Sequence, residues 1–282
     1  VLNTHMNKLI AFGDSFTWGS ELKDALDGTL FDVGSFSTYK KYHSKIRIGK
    51  FSDSDFNHRI TSITAGYSRS TWTALYANKM NMEYRCFANP GCSNSTISRK
   101  FFKYLPHITV DDFVVLNWTF IDRWDIYDEN YEDEEMKILL ESETMIDVDV
   151  STNPYRDSWR TVRPYDKSEI STLYFKYLQS ELWNKFETLK LMLLVSSILK
   201  NMNISFMMTC TDELILDKKY HCPDYVDTIQ NIVEPDIFWF NGMGFNSWAQ
   251  ECGFPMGKKN GHPLEEAHQQ AFEYVMENYE FT

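Results

Sequence analysis

The sequence predicts an α/β protein in which helices cover both faces of a parallel sheet. Four short apolar segments each end in a polar or glycine-containing turn, and they span residues 8–12, 83–88, 112–118 and 204–210. Segments with helical spacing of apolar residues lie between them. Strands that alternate with helices imply crossover connections, which give parallel strands.

The helical pattern is strongest in four segments. Helices are predicted at 70–81, before the second strand, and at 95–105, after it. The longest predicted helix runs from about 168 to 201, with apolar residues at helical spacing at Leu182, Phe186, Leu189 and Leu193. A last helix follows Pro263, which suits its first turn. Its apolar face carries Ala267, Ala271, Tyr274 and Val275.

Two long segments do not belong to this minimal sheet, and we expect them to be insertions at about 20–69 and 122–167. Loops of this kind often build substrate contacts. We find no internal repeat, low-complexity tract or linker, so residues 1–282 are predicted to form a single domain. The second insertion and its flanks carry aromatic side chains suited to stacking on sugar rings, namely Trp124, Tyr127, Tyr131, Tyr155, Trp159 and Tyr165.

Composition restricts the class of function. The 282 residues are 43% hydrophobic, which is sufficient for a sizeable core. A net charge of −12 argues against binding to nucleic acid phosphates and to anionic membranes. The five cysteines are widely spaced and include no CxxC pair, so neither a disulfide framework nor a zinc site is predicted.

No segment reads as a signal peptide or a membrane span, because the apolar runs are too short. We therefore expect a cytoplasmic or otherwise soluble protein. The predicted partner is a small-molecule or carbohydrate ester, with no nucleic acid and no membrane, and a homo-oligomer is compatible with the sequence. No cofactor and no metal are predicted.

Ligands of open α/β sheets bind outside the carboxyl ends of the strands, so the residues that leave each strand are the candidates for chemistry. The first strand ends in Gly13-Asp14-Ser15. A serine hydroxyl becomes a nucleophile when a base accepts its proton. Of the seven histidines, His262 is the best candidate base, since it lies in a glycine-marked loop directly before the last helix.

Three segments in this order resemble blocks I, II and V of the SGNH (GDSL-type) hydrolase superfamily: FGDSFTWG, NPGCSNSTI and GHP. The resemblance implies a flavodoxin-like three-layer α/β/α fold and hydrolysis of acyl esters through a serine acyl-enzyme. Ser15 would be the nucleophile and His262 the general base and acid. The backbone N–H groups of Ser15 and Gly91 would form the oxyanion hole, with a contribution from Asn94.

The chain departs from the family pattern in block III. The family carries Gly-x-Asn there, and its asparagine is the third oxyanion donor. The matching segment VVLNWTF has Asn117 at the glycine position and Thr119 at the asparagine position. The Thr119 hydroxyl is one candidate donor, and the Asn117 amide, after rotation, is the other.

Block V departs as well. The family acid precedes the histidine by three residues, where this chain has Lys259. We expect a Ser-His dyad in which a backbone carbonyl orients His262, with Asp212 or Glu265 as the alternative acid. The residues expected to line the substrate cleft are Asp14, Asn117, Asp122 and Arg123.

The favoured function is a serine esterase that removes acyl groups, such as O-acetyl groups of a carbohydrate; acyl transfer uses the same residues. The alternative is a catalytically weakened protein that binds a glycan or serves in assembly. Three further interpretations are less favoured. They are a flavin or nucleotide site after the first strand, a metal site at His262, Glu265 and His268, and Cys92 as the nucleophile.

Overall fold

A computed structural model describes residues 7–24, 67–127, 159–165, 168–217, 223–258 and 260–279. Most of both predicted insertions lies outside these described residues, including Tyr131 and Tyr155. The single-domain interpretation therefore stays a prediction.

The predicted parallel sheet is confirmed. The strands of the described chain are β1 (Lys8–Phe12), β2 (Glu83–Cys86), β3 (Asp112–Trp118), β4 (Trp124–Tyr127), β5 (Trp159–Val162) and β6 (Ser205–Cys210). Four of them form one sheet in the order β2-β1-β3-β6, and every neighbouring pair in it is parallel. β1 and β3 are central, and every residue of β3 is buried.

Helices pack on both faces of this sheet, which gives a three-layer α/β/α arrangement. The helices are α1 (Ser15–Trp18), α2 (Trp72–Lys79), α3 (Asn94–Tyr104), α4 (Glu169–Tyr177), α5 (Glu181–Asn201), α6 (Asp224–Val233), α7 (Phe245–Glu251) and α8 (Glu265–Asn278). Short 3₁₀ turns follow α3 and α6.

The two cores follow from the alternation of side chains along β1 and β3. Ile10 and Leu116 face a core that is completed by α3, α5 and α6. Leu9 and Val115 face the opposite core, which is completed by α2, α7 and α8. Apolar residues on both faces explain why these strands read as continuous apolar runs.

The structure corrects the predicted helix at 168–201, which is two helices. α4 ends at Tyr177, and Ser180 then caps α5 by accepting a hydrogen bond from the Trp183 N–H at 3.2 Å. Serine favours such a cap because its side chain satisfies an N–H that the helix leaves free. Pro263 also differs from expectation: α8 begins at Glu265, after Leu264, and Pro263 pairs with Met256 instead.

The antiparallel pair β4–β5 was not predicted, and neither were α6 and α7. β4 follows β3 closely, at the start of the second predicted insertion, and β5, near the end of this insertion, pairs with β4. This hairpin brings Arg163, directly after β5, against Gly91 in the loop that follows β2. Within the described ranges, no helix is long and apolar enough to cross a membrane.

Candidate active site

The turn after β1 positions Ser15. A Cβ on Gly13 would overlap the Thr17 hydroxyl, so the close turn requires glycine at this position. Asp14 caps α1, because its Oδ1 accepts a hydrogen bond from the Phe16 N–H at 3.0 Å. Ser15 is therefore the first residue of α1 and its hydroxyl is not needed for the cap. Its side chain lies at the carboxyl end of the sheet and is 5% exposed.

A folded loop before α8 positions His262. The Gly257 N–H donates to the His262 carbonyl at 2.7 Å, and Met256 pairs with Pro263. The imidazole packs against the Phe16 ring at a centroid distance of 4.9 Å. Its Nε2 lies 2.7 Å from the Ser15 Oγ. The structure thus brings together the two residues that the sequence paired as nucleophile and base.

Glu21 completes the arrangement. Its Oε2 lies 2.9 Å from His262 Nδ1 and also accepts the backbone N–H groups of His262 and Asn260, at 3.2 and 3.1 Å. Glu21 adopts a left-handed backbone conformation, with φ 70°, which is uncommon for a residue with a side chain. A Cβ on Gly257 would overlap the Glu21 carboxylate. Glycine at position 257 therefore allows the loop before α8 to approach this carboxylate closely.

The group that orients the His262 imidazole differs from the one that the sequence predicts. We expected a backbone carbonyl on His262 Nδ1, or the acids Asp212 and Glu265, and the structure places the Glu21 carboxylate there. The Asp212 carboxylate accepts the Leu214 N–H, and burial raises its pKa to about 6. The Glu265 carboxylate accepts the Lys23 N–H at 2.9 Å.

Ser15 and Gly91 both lie in turns at the carboxyl end of the sheet, after β1 and β2. The loop that contains Gly91 is tied to the turn after β1, since the Asn89 N–H donates to the Gly13 carbonyl at 2.9 Å. Gly91 has φ 74°, a conformation that favours glycine. The N–H groups of Ser15 and Gly91 donate to no acceptor among the residues with described positions. They are therefore available to an oxyanion.

The amides of Asn94 and Asn117, which the sequence offers as oxyanion donors, are hydrogen-bonded to neighbouring segments of the protein. Asn94 Oδ1 accepts the Thr119 N–H at 2.7 Å, and Asn94 Nδ2 donates to the Thr119 carbonyl at 3.0 Å. The Asn117 amide is bonded to the hydroxyls of Thr209 and Thr211, at the end of β6. The Asn94 amide thus connects α3 to the segment after β3, and the Asn117 amide connects β3 to the end of β6.

A buried ion pair lies beneath the site. Arg123 Nη1 donates to Asp14 Oδ2 at 3.0 Å, and the two side chains are 8% and 0% exposed. Thr119 donates its hydroxyl to the same oxygen at 2.5 Å. This network fixes Asp14 and with it the turn that carries Ser15. Asp122, next to Arg123, is half-buried, and burial raises its pKa.

Cys92 and His268 do not have the chemistry that the less favoured interpretations require. Burial raises the pKa of Cys92 to about 12, so its thiol stays protonated. His268 is buried in the core, where its Nδ1 accepts the Trp72 N–H and burial lowers its pKa to about 3. Across the described ranges, no group of three His, Cys, Asp or Glu side chains is arranged to hold a metal ion.

Comparisons with known proteins find little. No protein-family model matches the chain, and no curated protein matches it. Among solved structures, the chain is similar to a member of the lipolytic protein G-D-S-L family from Veillonella parvula. The identity is 11%, the match covers 96% of this chain and 97% of that one, and the TM-score is 0.40. At these values the functional assignment depends on the geometry of the site.

Proposed function

We propose that the protein is a serine hydrolase of acyl esters, with Ser15 as nucleophile, His262 as general base and Glu21 as the acid that orients it. One observation carries the proposal: an unbroken chain of contacts runs from Ser15 Oγ to His262 Nε2 at 2.7 Å and from His262 Nδ1 to Glu21 Oε2 at 2.9 Å. Nucleophile, base and orienting group in this order define the serine triad by geometry, whatever their positions in the sequence.

The first step forms the acyl-enzyme. Ser15 Oγ attacks the ester carbonyl carbon while its proton passes to His262 Nε2. Nε2 can accept the proton because the Glu21 carboxylate holds the other ring proton on Nδ1. The carboxylate then stabilises the imidazolium that results. The bond from the carbonyl carbon to the leaving alcohol breaks, and the Nε2 proton goes to the alcohol oxygen.

The second step releases the acid. Water attacks the acyl carbon, gives a proton to His262 Nε2, and Ser15 regains its proton when the bond to Oγ breaks. In both steps the N–H groups of Ser15 and Gly91 bind the oxyanion. A second alcohol in place of water would give acyl transfer with the same residues.

For the substrate we propose a small acyl group, such as acetyl, on a carbohydrate. Ser15 is 5% and His262 8% exposed, so a short acyl group reaches the hydroxyl most easily. The hairpin β4–β5 and the residues after it present aromatic rings to solvent, with Tyr127 57%, Trp159 36% and Tyr165 64% exposed. Aromatic rings of this kind offer a flat apolar surface on which a sugar ring stacks.

The triad is tested by hydrolysis of p-nitrophenyl acetate. We expect the wild type to release p-nitrophenol, and Ser15→Ala and His262→Ala to lower kcat by at least about 10³. The controls are Ser205→Ala, at the opposite end of the sheet, and His107→Ala in the turn after α3; both should retain wild-type rates. Equal rates in all five proteins would overturn the proposal.

The substrate class is tested by acetate release from an O-acetylated oligosaccharide. Trp159→Ala should raise KM for the oligosaccharide several-fold and leave p-nitrophenyl acetate unchanged. Oligosaccharide binding without any Ser15-dependent acetate release would favour the non-catalytic glycan-binding alternative. An equal effect on both substrates would argue against a sugar contact at Trp159.

A further inference from the structure

Arg163 lies against the loop that supplies one of the two free N–H groups of the site. It follows β5 directly, and a Cβ on Gly91 would overlap its Nη1. The guanidinium therefore reaches the Gly91 backbone only because position 91 has no side chain. This close approach is a second reason for glycine at 91, beside its φ of 74°.

The Arg163 guanidinium is a cation without a protein counter-ion among the residues that the structure describes. Its Nε is buried and has no hydrogen-bond partner, and the group stacks on the Tyr165 ring at 5.2 Å. By contrast, Arg123 pairs with Asp14 at 3.0 Å. A guanidinium without a protein counter-ion beside a candidate site can donate a charge-assisted hydrogen bond to an anionic group of a ligand.

The geometry allows one oxygen to contact both Arg163 and Gly91. The Cβ of any residue lies roughly 2.5 Å from the backbone nitrogen of that residue. Because Arg163 Nη1 would overlap a Cβ on Gly91, this Nη1 lies within about 5 Å of the Gly91 nitrogen. An oxygen at about 2.9 Å from each nitrogen fits this separation. The neighbouring side-chain donors are committed elsewhere, with Thr119 bonded to Asp14 and Asn94 to Thr119.

We propose that Arg163 is a catalytic residue that donates a charged hydrogen bond to the tetrahedral oxyanion, together with the N–H groups of Ser15 and Gly91. The inference rests on the proposed esterase function and adds a third donor to it. No bond to Arg163 forms or breaks; its positive charge meets the negative charge that develops on the carbonyl oxygen. A donor of this kind acts on the transition state more than on the bound ester, so its loss lowers kcat and leaves KM nearly unchanged.

The test compares Arg163→Gln, Arg163→Lys and Arg163→Ala with the wild type on p-nitrophenyl acetate. We expect Arg163→Gln to lower kcat by about 10²–10³ with KM within about threefold. Arg163→Lys should recover part of the loss because it restores a charge. Millimolar guanidinium should raise the rate of Arg163→Ala, which a purely structural role would not explain. Arg85→Gln, which removes a surface guanidinium paired with Glu83, is the matched control and should leave kcat unchanged.

A second ester distinguishes this role from a contact to a charged substrate. p-Nitrophenyl hemisuccinate carries a carboxylate, and the loss of an oxyanion donor should lower kcat for this ester and for the acetate alike. A rise of KM for the hemisuccinate alone, or unchanged kinetics with both esters, would overturn the inference and leave the triad intact. A wild type no faster than Ser15→Ala would overturn the esterase function itself, and a thermal melt of each variant separates misfolding from lost chemistry.

Discussion

Replacement of Glu21 by glutamine tests the least expected part of the site. The change keeps the shape of the side chain and removes its charge. An amide oxygen in the place of Oε2 can still accept the N–H groups of Asn260 and His262, so the loop before α8 should keep its structure. The imidazolium that forms in each chemical step would then face a neutral group.

The expected loss follows from the separation of the charges. The Glu21 and His262 side chains are 15% and 10% exposed, and Oε2 lies 2.9 Å from Nδ1, which places the charge centres about 4 Å apart. Two unit charges at this distance interact with about 4 kcal/mol at an effective dielectric constant near 20. Such a loss lowers kcat by about 10³.

The measurement is kcat on p-nitrophenyl acetate between pH 5 and 9, with near-ultraviolet circular dichroism to verify the fold. Glu265→Gln is the matched control, since it makes the same change in a carboxylate that accepts the Lys23 N–H and does not carry the proposed role. A Glu21→Gln enzyme within threefold of the wild type, with hydrolysis still dependent on Ser15, would refute the role given to Glu21.

Three further outcomes are expected. Gly257→Ala places a methyl group on the Glu21 carboxylate and should lower kcat at least tenfold while the melting temperature stays within a few degrees; an unchanged kcat would contradict this. His268 has a folded pKa near 3, below its unfolded value of 6.5, so its contribution to stability is complete above pH 6.5 and lost as pH falls toward 3. The free energy of unfolding, measured with urea between pH 7 and pH 4, should fall less steeply with pH in His268→Gln than in the wild type. An equally steep fall in both proteins would count against this role of His268. The Cys92 thiol should resist iodoacetamide in the folded protein while the exposed Cys252 reacts, and Cys92→Ala should keep its activity; rapid labelling of Cys92 would contradict its raised pKa.

The sheet could be predicted from the sequence because its central strands are buried on both faces. β1 and β3 read as apolar runs and have the predicted bounds, 8–12 and 112–118. β4 and β5 are four residues each, too short for a clear pattern, and their pairing joins the two ends of the second predicted insertion. The break before α5 depends on a single side chain, the Ser180 cap.

The site was predictable where its residues lie in recognisable blocks. Ser15 follows β1 at a Gly-Asp turn and His262 lies in a glycine-marked loop directly before the last helix, so the sequence pairs them, and the structure brings them into contact. Glu21 was missed because its position depends on the left-handed turn after α1 and on a contact with a residue 241 positions away. The contact between Arg163 and Gly91 was not predicted for the same reason, since β5 and the loop after β2 meet only through the fold.

Mass spectrometry of the protein after reaction with a fluorophosphonate shows whether the Ser15 hydroxyl is the activated nucleophile that we propose. We expect one adduct per chain, on the peptide that contains Ser15, formed much more slowly in His262→Ala and not at all in Ser15→Ala. A folded wild type that forms no adduct, or an adduct on another residue with Ser15 unmodified, would show that Ser15 is not the nucleophile.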